Sequence, residues 1–231
     1  MKALRDLKAP IVAEVIGTFA LCFIGAGAVC TNHWTGGALG LLGIAIAHGT
    51  VLAVMISSLG HISGGHFNPA VTLGILTMNK IEGQRAFLYI LAQLIGAAAA
   101  GLLLRFIVPE NIWQQVNLGT PTLGLGITAG QGVVIELILT FFLVLAVCGT
   151  AVDPKGSWNA IAGFGIGTVL IFDILAGGPL TGAAMNPARA FGPALASNHW
   201  AFQLVYWLGP LSGGVFAGFL YSRLFLGEKR H

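Results

Sequence analysis

The tripeptide Asn-Pro-Ala occurs twice, at Asn68-Pro69-Ala70 and Asn186-Pro187-Ala188, each time with small residues before it and a short apolar run after it. Asn is a good N-cap, because its side-chain carbonyl accepts the orphan N–H groups of a first helical turn. Proline fits the first helical position, since the N–H it lacks has no intrahelical partner there. Each box therefore predicts a helix start. The runs that follow, Pro69–Thr77 and Pro187–Ala196, are too short to cross a bilayer, which takes about 20 residues. Two half-length helices at matching places in an apolar chain predict a site inside a membrane.

The remainder of the chain agrees with a membrane setting. It is 56% hydrophobic and only 8% charged, with 34 glycines among 231 residues, far from a soluble globular profile. Six segments approach bilayer length: Ile11–Thr31, Leu39–Gly60, Ala86–Val108, Gly130–Thr150, Asn159–Gly177 and Ala201–Phe225. The first has no cleavage-site pattern and leads straight into the second, so it is read as retained. No nucleic-acid motif is present, and the net charge of +3 says little about partners. Cys22 and Cys30 lie about 12 Å apart along one helix, too far to bridge, and Cys148 has no evident partner. No metal site, no cofactor and no catalytic residue is expected; no nucleophile–base pair converges on the boxes, so the chain is not read as an enzyme.

Basic residues set the orientation. Lys2, Arg5 and Lys8 precede the first span, Lys80 and Arg85 follow the second, Lys155 follows the fourth, and Arg223, Lys229 and Arg230 close the sixth. The connections around 32–37, 109–129 and 197–200 carry no Lys or Arg. By the positive-inside rule both termini are expected in the cytoplasm. Short termini point to a plasma (cell) membrane in preference to an organelle membrane. Arg105 and Arg189 fall on the other side or within the membrane, where a charge is costly and marks a functional position by default.

The two boxes belong to a longer duplication. Glu14-Val15-Ile16-Gly17-Thr18-Phe19 echoes Glu136-Leu137-Ile138-Leu139-Thr140-Phe141, and Tyr89, Leu94, Gly96 and Gly101 recur at a constant offset as Tyr206, Leu211, Gly213 and Gly218. The expectation is one domain over residues 1–231 with repeats of about 1–110 and 125–231. Each repeat holds three spans, an odd number, so the second enters the membrane from the opposite side and the repeat is inverted. The fold class expected is an all-α membrane protein with six transmembrane helices plus two re-entrant half-helices. Abundant glycine lets such helices approach closely in lipid.

Taken together, these residues resemble the aquaporins, the major intrinsic protein family. The resemblance covers essentially the whole chain: six spans, both boxes, Arg189 directly after the second box, and an early Glu in each half. It implies a homotetramer in membrane lipid with one pore per subunit, passively conducting water or small neutral solutes and excluding protons and ions. In channels of this kind an arginine and the positive ends of half-helices serve as selectivity devices. Each half-helix carries about half a positive charge at its N-terminus, so two such ends facing each other raise the energy of any cation. Asn68 and Asn186 would keep their carbonyls for capping and turn their amides to the pore.

A second constriction follows from similarity to the family's aromatic/arginine filter. Arg189 follows the second box, Ala183 and Ile174 precede it, and His48 lies in the outer half of the second span. These four are the proposed ring. The commonest water-only pattern has an aromatic where His48 stands and a histidine where Ile174 stands. The set here is more similar to that of plant tonoplast-type, vacuolar-membrane aquaporins, some of which also pass ammonia or urea. Thr150–Asp153 and Ala176–Leu195 resemble that branch as well. Yet Leu123, after Pro121-Thr122, stands where ammonia-conducting relatives place a histidine. Ala190 stands where glycerol conductors carry Asp, which disfavours a glycerol facilitator. The ring should be wide enough for a second small neutral solute, ammonia or urea.

Other polar residues receive structural readings. Glu14 and Glu136 are expected to brace the re-entrant turns by accepting backbone N–H groups. Asp173 is expected to bond re-entrant backbone or to reach the outer surface, with a proton relay in a coupled transporter as the alternative. His66 is placed at the inner vestibule, and His61 is read as a loop brace or a pH-responsive gate. The alternative function is a secondary transporter of a small solute. Such proteins also use inverted repeats and broken helices, but they need coupling charges at the midplane, which are scarce here.

Overall fold

Helices in lipid gain little from hydrophobic contrast with their surroundings, so close backbone packing must hold them, and small residues permit it. The computed structural model describes residues 7–156 and 161–226. In chain order the helices are α1 Lys8–Trp34, α2 Gly40–Ser63, α3 Pro69–Thr77, α4 Gly83–Ile107, α5 Glu110–Trp113, α6 Ala129–Val147, α7 Ala162–Thr181, α8 Pro187–Ser197 and α9 Val205–Leu224. An irregular segment, Gln114–Gly119, follows α5, non-helical at Val116, Asn117 and Leu118, and a π turn, Cys148–Val152, extends α6. α1, α2, α4, α7 and α6 with its π turn are long and apolar enough to cross a membrane. α9 has a comparable length, 20 residues, but carries Gly, Ser, Tyr and Arg residues and falls outside that set.

Several boundaries differ from the sequence expectation. The fifth span was placed from Asn159, but 157–160 lie outside the described residues, and α7 runs on to Thr181. It ends at Gly182, which takes the left-handed conformation (φ 79°) that a residue without Cβ adopts freely. The sixth span begins at Val205 instead of Ala201, because 201–204 form turns. α8 extends one residue further, to Ser197. Lys2, Arg5, Lys229 and Arg230 also lie outside the described residues.

Packing follows a repeated plan. α1 packs on α4 as α6 packs on α9, and α2 packs on α7. The half-helices cross over: α3, from the first half, packs on α9, while α8, from the second, packs on α4. Glycine makes each contact possible. A Cβ at Gly96 would strike the Val15 carbonyl, and one at Gly213 would strike that of Leu137. Gly101 lies on the Gly192 carbonyl and Gly218 on that of Gly74. α2 and α7 meet through Gly49 and Gly167, each on the other's carbonyl. Apolar side chains such as Phe106, Phe164 and Ile95 cover the perimeter, exposed by 86%, 70% and 62% respectively, as a bilayer requires.

Two further ties close the ends. Arg105 donates from Nη1 to the Ala196 carbonyl (2.6 Å) at the end of α8 and lies over the Trp113 ring. A cation there complements the negative end of the helix dipole. Beyond the π turn, Asp153 accepts from the Lys155 N–H (2.8 Å) and the Tyr221 hydroxyl (3.0 Å). The Lys155 N–H is the main cause that holds its carboxyl below the ordinary range.

Gly192 tests the packing argument. Its Cβ would overlap the Ala97 backbone, whereas one at Gly130 meets nothing within 4 Å. Gly192→Ala should destabilise by about 1–3 kcal/mol, the usual cost of overpacking. Gly130→Ala should be neutral or mildly stabilising. Thermal unfolding in detergent, with size-exclusion profiles, distinguishes the two.

Candidate functional site

The geometry of the centre starts from the two caps. Asn68 Oδ1 accepts from the Ala70 N–H at 2.8 Å, and Asn186 Oδ1 accepts from the N–H groups of Ala188 (3.0 Å) and Arg189 (3.2 Å). A backbone N–H can only donate, so these contacts fix which end of each amide is the oxygen. The nitrogens then point across the boundary between halves. Asn68 Nδ2 donates to the Met185 carbonyl (2.8 Å), and Asn186 Nδ2 donates to the Phe67 carbonyl (2.9 Å). Each amide NH₂ has two hydrogens, so one N–H per Asn remains. Both Asn line the same narrow channel. The capping was expected; the reciprocal clasp was not.

Each clasp depends on a turn that a buried carboxyl group holds. Glu14 accepts from the His66 N–H (3.0 Å), the Phe67 N–H (2.7 Å), the Ser63 hydroxyl (2.7 Å) and Gln93 Nε2 (2.7 Å). Glu136 accepts from the Ala184 N–H (2.9 Å), the Met185 N–H (2.7 Å) and the Thr181 hydroxyl (2.7 Å). Phe67 (φ 47°) and Met185 (φ 51°) are left-handed. Runs of successive N–H groups in such turns form concavities suited to an anion. Tyr89 and Tyr206 complete the pattern, donating to the carbonyls of Ser63 and Thr181 at 2.8 Å each. Their repeat was visible in the sequence, but their role was not, because only the fold brings them to those carbonyls.

On the side of the boxes that the positive-inside expectation makes the outer one, the structure brings together His48, Ile174, Ala183 and Arg189, all buried and all lining the channel. His48 Nδ1 lies 2.9 Å from the Ile44 carbonyl, which can only accept, so Nδ1 carries the proton. Arg189 Nη2, which can only donate, lies 3.2 Å from His48 Nε2. One neutral tautomer satisfies both bonds. Both ring nitrogens are thus engaged, where the sequence left His48 a free donor or acceptor. Arg189 Nη1 donates to the Gly119 carbonyl at 2.9 Å. Asn117, Leu118 and Gly119, all at positive φ, present that carbonyl. Nothing in the sequence signalled it.

The inner side is held by a second network. Thr72 Oγ1 donates to the Asn68 carbonyl and accepts from Gln93 Nε2, each at 3.0 Å. With its one hydrogen spent, it accepts from His66 Nδ1 (3.0 Å). His66 lines both the channel and the inner vestibule, where Lys80 and Arg85 also lie. Cavity volumes are about 780 Å³ in the inner vestibule, 20 Å³ in the channel and 290 Å³ in the outer vestibule. A water needs about 10–15 Å³, so the enclosed space between the two wide mouths has room for one or two waters. Leu123 lines the outer mouth. Asp173 corrects an expectation: it is buried instead of reaching the surface, and its Oδ2 finds no hydrogen-bond partner among the described residues. His61, at the end of α2, lines neither the channel nor the inner vestibule.

Glu136→Gln should turn an NH₂ toward donors that have no other acceptor, at about 1–3 kcal/mol for each group left unpaired. Tyr206→Phe removes a single bond and should cost about 1 kcal/mol. Thermal stability and osmotic water flux should both fall further in the first variant.

Comparison with known proteins gives consistent matches. A sequence profile described as Major intrinsic protein matches residues 2–221. Aquaporin TIP4-4 of Zea mays is 45% identical over 229 residues, covering 96% of this chain and 88% of that protein. Aquaporin-8 of Mus musculus is 40% identical over 222 residues, covering 96% and 83%. The crystal structure of the aquaglyceroporin from Plasmodium falciparum superposes with a TM-score of 0.83 at 25% identity, covering 94% of this chain and 96% of that one.

Proposed function

The chain belongs to the major intrinsic protein family and is a multi-pass integral membrane protein and passive water channel, and on that premise we propose how its residues select what passes. The observation that carries the reading is the pair of boxes clasped at the enclosed space between the two mouths, with one amide N–H of each Asn unspent. A water oxygen at that point accepts from the two Asn, which removes it from a chain of proton relays. The facing N-termini of α3 and α8 add a positive potential that repels cations. His48, Ile174, Ala183 and Arg189 form the outer filter, in which Arg189 supplies a permanent charge and fixed donors.

The same reading takes residues 1–110 and 125–231 as inverted repeats of one domain, and the assembly as a homotetramer in lipid with a channel in each subunit. The recurring glycine contacts and the apolar perimeter support both. Lys80, Arg85 and Lys155 support a reading in which the inner vestibule and both termini face the cytoplasm. The relatives named TIP-type do not favour the plasma membrane expected from the sequence. With Ile174 and Ala183 as apolar walls, water is joined by a second small neutral solute, ammonia or urea. The protein is a channel and carries out no chemistry.

The test is a stopped-flow panel of water, ammonia, urea and glycerol on protein in liposomes, with an entrapped pH dye. Rapid shrinkage without acidification is expected, with ammonia or urea passing ahead of glycerol. Arg189→Val should keep water flux and admit protons and cations, because charge and donors disappear together. Unchanged proton conductance in the folded variant would remove Arg189 from the filter. Substrate-driven proton uptake by the original protein would favour a secondary transporter instead.

A further inference from the structure

We infer that Gly25, on α1, is a positioning residue for solute selectivity: by lacking a Cβ it seats the His48 ring against α1 and sets the width of the outer constriction. The inference rests on reading His48 as part of the filter. Two hydrogen bonds hold the ring, from Nδ1 to the Ile44 carbonyl and from Arg189 Nη2 to Nε2. The third restraint is steric. A Cβ at Gly25 would overlap Nε2 and would lie 2.5 Å from Cδ2 and 3.0 Å from Cε1. The edge of the imidazole therefore rests on bare α1 backbone.

This glycine differs from the packing glycines described above. Gly96, Gly101 and Gly192 make room for the backbone of another helix, whereas the nearest atoms at Gly25 all belong to the His48 side chain. Its φ is an ordinary helical one, so no left-handed conformation demands glycine there. Glycine inside a helix costs about 1 kcal/mol relative to alanine. What the position requires is space, and the ring of His48 fills it. Gly27, two residues on, has only a Leu104 methyl at 3.4 Å and no such tenant.

A larger residue at position 25 must move the ring. Ile44 and the α2 backbone hold one side and Arg189 the other, and the remaining open side is the channel and its outer mouth, both lined by His48. Displacement narrows the ring of residues and breaks the Arg189–His48 bond. Urea, the wider solute, should suffer more than water. Selectivity is thereby written partly on a helix position that lines no part of the channel.

The experiment compares urea and water permeability in liposomes for the original protein, Gly25→Ala, His48→Ala and the double variant. Gly25→Ala should lower the urea-to-water ratio by about tenfold, the scale at which one added carbon discriminates in a tight site. In the His48→Ala background the same change should leave the ratio unaltered, which a merely structural role would not produce. If urea does not pass the original protein, the comparison is read in water flux, which should fall in Gly25→Ala and recover in the double variant. If Gly25→Ala does not fold but the double variant does, the ring and residue 25 compete for one space, as required. An unchanged ratio in Gly25→Ala, an equal loss in both backgrounds, or failure of both variants to fold overturns the inference. If His48→Ala alone leaves the ratio unchanged, the filter reading itself has failed.

Discussion

Everything at the centre of this channel depends on two reciprocal hydrogen bonds, Asn68 to the Met185 carbonyl and Asn186 to the Phe67 carbonyl. They join two helix N-termini that electrostatics would push apart, since each carries a partial positive charge. An open backbone turn in a membrane is stable only where its polar groups are paired inside the protein. The clasp pairs two carbonyls, the caps pair the first helical N–H groups, and Glu14 and Glu136 collect the remaining N–H groups of the turns. The carboxyl oxygens accept from the turns that lead into the two helix starts, so each positive end is backed by an acceptor. Each element needs the others. An Asn with no carboxyl-held turn facing it has no carbonyl to hold.

Rigidity is what converts this arrangement into selectivity. A fixed donor costs no reorganisation when a water passes, whereas a mobile one would follow any cation. Glycine contacts between backbones supply that rigidity: Gly218 of α9 lies on the Gly74 carbonyl of α3, and Gly192 of α8 on the Ala97 carbonyl of α4. His48 and Arg189 are fixed in a different way, by using nearly all of their polar atoms on the Ile44 and Gly119 carbonyls and on each other. Arg189 Nε has no partner among the described residues. The outer ring is thus a set of anchored groups between apolar walls, and its width is decided by what stands behind them.

The parts legible in the sequence were those set by local chemistry. Pro69–Thr77 is the α3 helix with the bounds expected, because an Asn cap and a Pro at the first position define a start from neighbouring residues alone. The repeated segments that they open singled out Glu14 and Glu136, whose carboxyl groups accept backbone N–H groups of the two turns. The less legible parts depend on distant chain. The three left-handed residues that deliver the Gly119 carbonyl to Arg189 have no helix-like or box-like signature. The start of α9 at Val205 was misplaced because apolar content cannot separate a turn from a helix when both lie in the same membrane. Asp173 was expected to bond backbone or reach the surface, and it is buried with Oδ2 unpartnered among the described residues. The duplication pointed to Tyr89 and Tyr206 without saying what their hydroxyls would meet.

The most direct test of the clasp is proton and water flux through Asn186→Asp, measured together by light scattering and an entrapped pH dye in liposomes of folded protein. A carboxylate keeps the oxygen that caps α8 but loses both N–H groups, the one on the Phe67 carbonyl and the one facing the channel, and it adds a negative charge between the two positive ends. The account predicts slower water flux and a new proton or cation conductance. Water flux equal to that of the original protein, with no proton leak, would contradict it.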